Sequence, residues 1–187
     1  MMRPVPLALA ALALAGCSGV AMETAPAFPT LPLANAGFEE ASTLASCAPG
    51  WNCSMHADPK SFRFALDHGQ AAGGRASLCI EPVTREPWGK ATQSVTDPRL
   101  RGKHVRFSLA VRTEGVAGNG AGPLVVAYGG SGQILVARQQ FVKGTAGWRR
   151  VALELDVPAT AYVVEVGAAL EGTGRACIDD ARLEILS

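Results

Sequence analysis

Five cysteines, three histidines and three tryptophans are the residues of this 187-residue chain with the most chemistry to offer. The histidines stand in His56-Ala57-Asp58, in Asp67-His68 and alone at His104, so bases are available. A nucleophile for them to activate is harder to find. No serine occupies the strained Gly-x-Ser-x-Gly turn that lifts a hydroxyl above a sheet, and the nearest approach, Gly130-Ser131-Gly132, reads as a hairpin turn. Glycoside cleavage would need two carboxylates projecting into one cleft. Asp179 and Asp180 are adjacent, and adjacent residues of a strand point to opposite faces. Gly129-Gly130-Ser131-Gly132 lacks the lysine and the helix of a phosphate-binding loop. No catalytic centre is expected, and the chain is read as a non-enzyme.

The N-terminus carries a different kind of chemistry. Met1-Met2-Arg3 is followed by an uncharged apolar run from Val5 to Ala15, shorter than the roughly 20 residues of a membrane-spanning helix but suited to a signal-peptide core. The run ends in Leu14-Ala15-Gly16-Cys17, which resembles the lipobox of bacterial lipoproteins. The resemblance implies removal of residues 1–16, diacylglycerol on the Cys17 thiol and an acylated new amino terminus, hence attachment to a membrane through a lipid anchor. Ser18 after the cysteine leans the expected location towards the outer membrane of a Gram-negative envelope.

With Cys17 given to lipid, Cys47, Cys53, Cys79 and Cys177 remain, an even number in an exported chain, and three disulfide connectivities are open. Cys47–Cys53 is preferred because it closes a short loop containing Pro49-Gly50, and Cys79–Cys177 because both residues sit in strand-like runs. A zinc site lacks the paired short spacing it needs.

The elements that must position these residues follow from the pattern. Residues 17–31 are rich in Ala, Pro and Thr without helical or strand period and read as a tether. Residues 32–187 are long enough for one domain with its own core. A net charge of +1 gives no reason to expect a nucleic-acid partner. From Ser61 onward, short apolar/polar alternations are separated by Gly, Pro, Asn and Asp. Strands are expected at Ser61–Leu66, Ala76–Glu81, Ala91–Val95, Val105–Arg112, Leu124–Tyr128, Ile134–Gln139, Arg149–Asp156, Tyr162–Val166 and Ala176–Ile185. Gly118-Asn119-Gly120, Gly144 to Gly147 and Gly172-Thr173-Gly174 read as turns between them. The fold class is therefore all-β, a two-sheet β-sandwich.

Asn35-Ala36-Gly37-Phe38-Glu39, Gly50-Trp51, the run from Gly74 to Ile80, Gln93-Ser94-Val95, Trp148-Arg149-Arg150 and the closing run from Cys177 to Leu183 resemble, in order and spacing, the galactose-binding-domain-like jelly roll. The branch in question includes carbohydrate-binding modules attached to glycosidases. The resemblance implies a structural calcium ion where the first and last strands meet, with side chains of Glu39 and Asp180 and carbonyls from Gly37 and the Gly74-Arg75 turn, an oxygen set of the kind calcium takes.

It also implies a sugar site built from exposed rings with polar partners. Trp51 and Trp148 stand where the pattern places packing aromatics, leaving Trp88 in Glu86-Pro87-Trp88-Gly89-Lys90 as the stacking candidate and Tyr128 as the second. Gln93, Arg112 and Gln139 are candidate polar partners on strands. Two functions are expected to compete: a non-catalytic lipoprotein that binds carbohydrate or another small polar ligand, and an envelope interaction protein that kept the fold but lost the sugar site.

Overall fold

The computed structural model describes residues 28–40 and 47–187. Cys17, the signal segment and most of the expected tether lie outside the described residues. The strands are β1 (Thr30–Leu31), β2 (Asn52–Met55), β3 (Phe62–Asp67), β4 (Ser77–Pro82), β5 (Gly89–Val95), β6 (His104–Tyr128), β7 (Ile134–Gln139), β8 (Val142–Asp156) and β9 (Val163–Ile185), with a 3-10 turn at Pro98–Leu100. No helix among the described residues is long and apolar enough to cross a membrane.

Two very long strands organise the molecule. β6 and β9 pair antiparallel from Val105↔Ile185 to Tyr128↔Val163, with register shifts between Glu114 and Ala117 and between Gly118 and Gly120. On one side of the shifts the ribbon is flanked by β8, β4 and β1, with β3 beyond β4; on the other by β5 and β7, with β2 beyond β5. The ribbon thus supplies the central strands of both layers. The glycine clusters expected to end strands instead lie within β6, β8 and β9, because glycine at positive φ bends a ladder without breaking its pairing. Gly172 shows the constraint: its φ is +134°, and a Cβ there would stand 2.0 Å from the Ala117 carbonyl oxygen.

Alternation then fills the interior. Val105, Phe107, Leu109 and Val111 from one half of β6 meet Ala121, Val125 and Ala127 from the other, with Val164, Val166, Leu170, Ile178 and Leu183 of β9, in one continuous core. Both layers contribute every second residue, as a sandwich requires. Short crossovers, residues 96–103 and 157–162, connect the layers at one end, where Leu100, Val157 and Ala161 are buried.

Trp51 is buried against Phe38, ring centroids 4.9 Å apart, and its indole N–H donates to the Asn35 carbonyl. Leu31 is buried and β1 pairs with Leu183 and Glu184, so the last residues assigned to the tether belong to the sheet. Both preferred disulfides are present, Cys47–Cys53 and Cys79–Cys177, the latter joining directly opposed residues of β4 and β9.

Candidate functional site

The outer face of the layer built from β2, β5, the first half of β9, the end of β6 and β7 brings together the expected rings. Lys90, Thr92 and Ser94 of β5 stand opposite Ala169, Gly167 and Glu165. Leu124, Val126 and Tyr128 stand opposite Gly167, Glu165 and Val163, and Gln139 opposite Leu124. Asn52 and Ser54 extend the same face beyond Thr92 and Lys90. The middle of the face is made of small side chains. Gly167 has no room for more: a Cβ would lie 2.1 Å from the Ala91 carbonyl oxygen.

Polar and aromatic groups cross this floor in a connected line. His56 Nδ1 is 2.9 Å from the Glu86 carboxylate, and the imidazole meets the Trp88 ring edge-on at 6.1 Å. Lys90 Nζ lies 5.7 Å from the Trp88 ring centroid and donates to Glu165 Oε1 at 2.7 Å. Glu165 acts in turn on Tyr128. Burial raises the phenol pKa, the Glu165 carboxylate raises it further and the Lys90 ammonium opposes the change. Trp88 and Tyr128 are both half-exposed. The Ser54 hydroxyl on this face is buried without a hydrogen-bond partner among the described residues.

Not all expected ligand contacts join this face. Gln93 stands opposite Val166 on the core side, and its amide accepts from the Ala34 N–H at 3.0 Å and donates to the Ala34 carbonyl at 2.6 Å. It clamps the N-terminal segment, so its polar atoms are already taken. Arg112 lies in the other layer, opposite Cys177, and pairs with Glu114 at 2.6 Å. Gln139 is exposed on β7 and shares the face with Tyr128. Lys90, Glu165 and Ser54 were not expected from the sequence to contact a ligand, and His56 stood out only as an available base. The period-2 pairing of Trp88 with Lys90 was the one available signal.

The other layer carries a groove of about 1120 Å³ on its outer side. Ala65, Cys79 and Val83 line it, with the Arg63–Glu81 pair, Glu114 and the Gly172-Thr173-Gly174 bend around them. Two of its three arginines are matched by acids: Arg175 is 2.7 Å from Asp67 and Arg63 is bound to Glu81. Asp67 also lies near the Cys79 and Cys177 sulfurs, but disulfide-bonded sulfurs are not thiolate ligands.

The expected calcium ligands are rearranged. Glu39 Oε1 accepts from the Arg75 and Ala76 N–H groups at 2.7 and 3.1 Å, which hold its pKa below the usual carboxylate range. The Arg75 N–H, rather than a carbonyl, therefore faces Glu39 from the Gly74-Arg75 turn. Asp180 does not face Glu39. Its φ is +48° at a bulge where β9 passes Leu109, and its carboxylate binds Arg150 and Arg182. The neighbour, Asp179, turns inward: a Cβ on Gly37 would lie 3.9 Å from Asp179 Oδ1 and 4.0 Å from the Glu39 Cγ. Asp179 is buried, and its Oδ2 accepts from the Ala72 and Gly73 N–H groups at 2.8 and 3.0 Å. Burial raises its pKa, against the lowering effect of those N–H groups and that of Asp180.

No protein-family model matches the sequence, and no curated protein is similar to it. Solved structures are similar in fold. The CBM22-1 xylan-binding domain from Paenibacillus barcinonensis Xyn10C superposes with a TM-score of 0.57 at 19% identity, covering 81% of this chain and 92% of that one. TmCBM61, determined in complex with beta-1,4-galactotriose, gives 0.52 at 17% identity over 82% of this chain and 97% of its own. The enzymatically active domain of the bacteriophage CBA120 tailspike protein 4 gives 0.58 at 14% identity, but the similarity spans only 20% of that chain. The chain therefore has the jelly-roll β-sandwich fold found in carbohydrate-binding modules.

Proposed function

We propose that this protein is a non-catalytic, lipid-anchored envelope protein that binds carbohydrate on the outer face of the β2–β5–β9–β6–β7 layer. The observation that carries the reading is the placement of two half-exposed rings, Trp88 and Tyr128, on one face with the Lys90–Glu165 pair between them. A ring offers its apolar face to the C–H side of a pyranose, while the ion pair and neighbouring hydroxyls bond the sugar's oxygens. Small residues along the floor let a flat ligand approach the sheet. The fold shared with xylan-binding and galactotriose-bound modules supports the same ligand class.

Lipidation of Cys17 and residence at the outer membrane are part of the same proposal, supported by Leu14-Ala15-Gly16-Cys17 and Ser18. So is calcium, with Asp179 in place of Asp180. A buried carboxylate bound by backbone N–H groups, with no ion pair among the described residues and beside a second carboxylate and Gly37, offers oxygens of the kind a hard cation takes. Glu39 and Asp179 would hold the ion, which would fix the start of the domain to its last strand.

A glycan array probed with the wild-type protein and Trp88→Ala tests the sugar reading. Binding of a defined glycan that Trp88→Ala loses supports it. Equal signal from both proteins, or none from either across the array, counts against it.

A further inference from the structure

We propose that the end of the sandwich at which the N-terminal segment enters docks on an anionic lipid surface. The inference rests on Cys17 being the lipid anchor, and it adds a second contact between the domain and the bilayer.

The entry point is defined by pairing. β1 lies against the last residues of β9, Thr30 opposite Glu184, and the Pro29 carbonyl accepts from the Ile185 N–H. Phe28 sits 5.8 Å from the Arg106 guanidinium, close to the start of β6. Eleven residue steps separate Cys17 from Phe28, at most about 40 Å of fully extended chain. An acylated Cys17 therefore keeps this end within about 40 Å of the membrane.

Three loops form this end and are stitched together. The Gly102 N–H donates to the Val157 carbonyl, the Val157 N–H to the Lys103 carbonyl, and the Tyr162 N–H to the Tyr128 carbonyl. Tyr128 in turn pairs with Ile134 past the 129–133 turn.

The side chains they present suit an interface. Of the three large hydrophobic residues that are exposed among those described, Tyr162 and Ile134, at 61% and 63%, are both here. The loops carry Arg99, Arg101 and Lys103 against a single carboxylate, Asp97, which Arg99 already binds. Arg101 and Lys103 are exposed and have no ion-pair partner among the described residues. The acids at the neighbouring strand ends are occupied: Glu154 by Arg106 and His104, Asp156 by His104, and Glu184 by Arg106. A tyrosine and an isoleucine on the same end as two exposed cations, Arg101 and Lys103, match the headgroup zone, where amphipathic rings sit and Lys and Arg meet lipid phosphates.

The test is hydrogen exchange on the full-length lipidated protein in vesicles of phosphatidylethanolamine and phosphatidylglycerol, compared with the same protein in neutral detergent. Exchange at residues 97–103, 129–134 and 158–162 is expected to slow roughly fivefold or more in vesicles. The 83–88 and 171–174 segments at the opposite end are expected to be unchanged. Arg101→Glu/Lys103→Glu/Tyr162→Ser removes the slowing while the protein stays in the vesicle fraction. Uniform exchange in both media, or slowing that the triple variant retains, overturns the docking. Mass spectrometry of the N-terminal peptide separates the two readings. A lipidated Cys17 with no protection sinks the docking alone, and an unmodified Cys17 sinks the anchor and the docking together.

Discussion

Lys90 reaches Glu165 along the outer face of the β2–β5–β9–β6–β7 layer, although its register partner is Ala169. The four residue steps from Glu165 to Ala169 correspond to roughly 13 Å of strand. The ammonium therefore lies over the small residues at the centre of the face, between the ring of Trp88 and that of Tyr128. Glu165→Gln should release Lys90 and lower the Tyr128 pKa, because the carboxylate is one of the two causes that raise it. Burial, the larger cause, would remain. A pH titration of tyrosine absorbance against wild type checks this, and an unchanged curve would break the link between the two side chains.

Trp88→Ala should weaken glycan binding about tenfold, the loss of one stacked ring. It should leave the melting temperature within a few degrees, since Trp88 is only half-buried and outside the core. Isothermal titration beside a thermal melt separates the two effects. Gln93→Ala should behave in the opposite way, lowering stability through loss of its two bonds to Ala34 while leaving affinity for any glycan unchanged.

Asp179 and Asp180 should differ sharply. Asp179→Ala removes the buried acceptor of the Ala72, Gly73 and Asp180 N–H groups, and a hydrogen bond to a charged group contributes about 1.5–3 kcal/mol. Asp180→Ala removes only partly exposed pairs with Arg150 and Arg182, worth about 1 kcal/mol or less. Chemical denaturation of both variants checks the order, and equal losses would contradict it. If calcium occupies the Glu39–Asp179 junction, chelation should lower the melting temperature of wild type and not that of Asp179→Ala.

His104 should make stability depend on pH. Its Nδ1 lies 2.7 Å from Asp156 and its Nε2 3.3 Å from Glu154, and these two acids raise its pKa above 6.5. The stability it contributes is full below 6.5 and disappears as pH rises through the elevated folded value. His104→Asn should therefore melt lower than wild type near pH 5.5 and converge with it at pH 9. Parallel curves across that range would show that the imidazolium contributes nothing.

The two disulfides should not be equivalent. Cys79–Cys177 spans 98 positions and Cys47–Cys53 only 6. Constraint of the unfolded chain grows with the enclosed loop, reaching about 4.7 kcal/mol for one of 100 residues. Replacing Cys79 and Cys177 by alanine should lower the denaturation midpoint more than replacing Cys47 and Cys53. The reverse order would show that native-state contacts, rather than the enclosed chain, dominate.

The sequence by itself determined whatever depends on neighbours along the chain. Alternation fixed the β class and the positions of β3, β4, β5 and β7 to within a few residues, because one buried face imposes period 2 on any strand. The four cysteines of the domain pair as their local settings suggested, one pair around a tight turn and one between strands. Trp88, expected as the ring outside an alternating run, is half-buried just before β5.

Only the tertiary structure decided what depends on register. Glycines that read as turns became bends inside β6, β8 and β9, since whether a positive-φ glycine ends a strand depends on whether a partner continues beside it. A single bulged residue at Asp180 sent its carboxylate to Arg150 and brought Asp179 to the Glu39 junction, a swap that no pattern of types reveals. Gln93 and Arg112 resemble ligand contacts as residue types, but pairing placed one against Ala34 and the other on the opposite layer. The proposed ligand face is made by residues from five separate strands, and their meeting is a property of the tertiary fold alone.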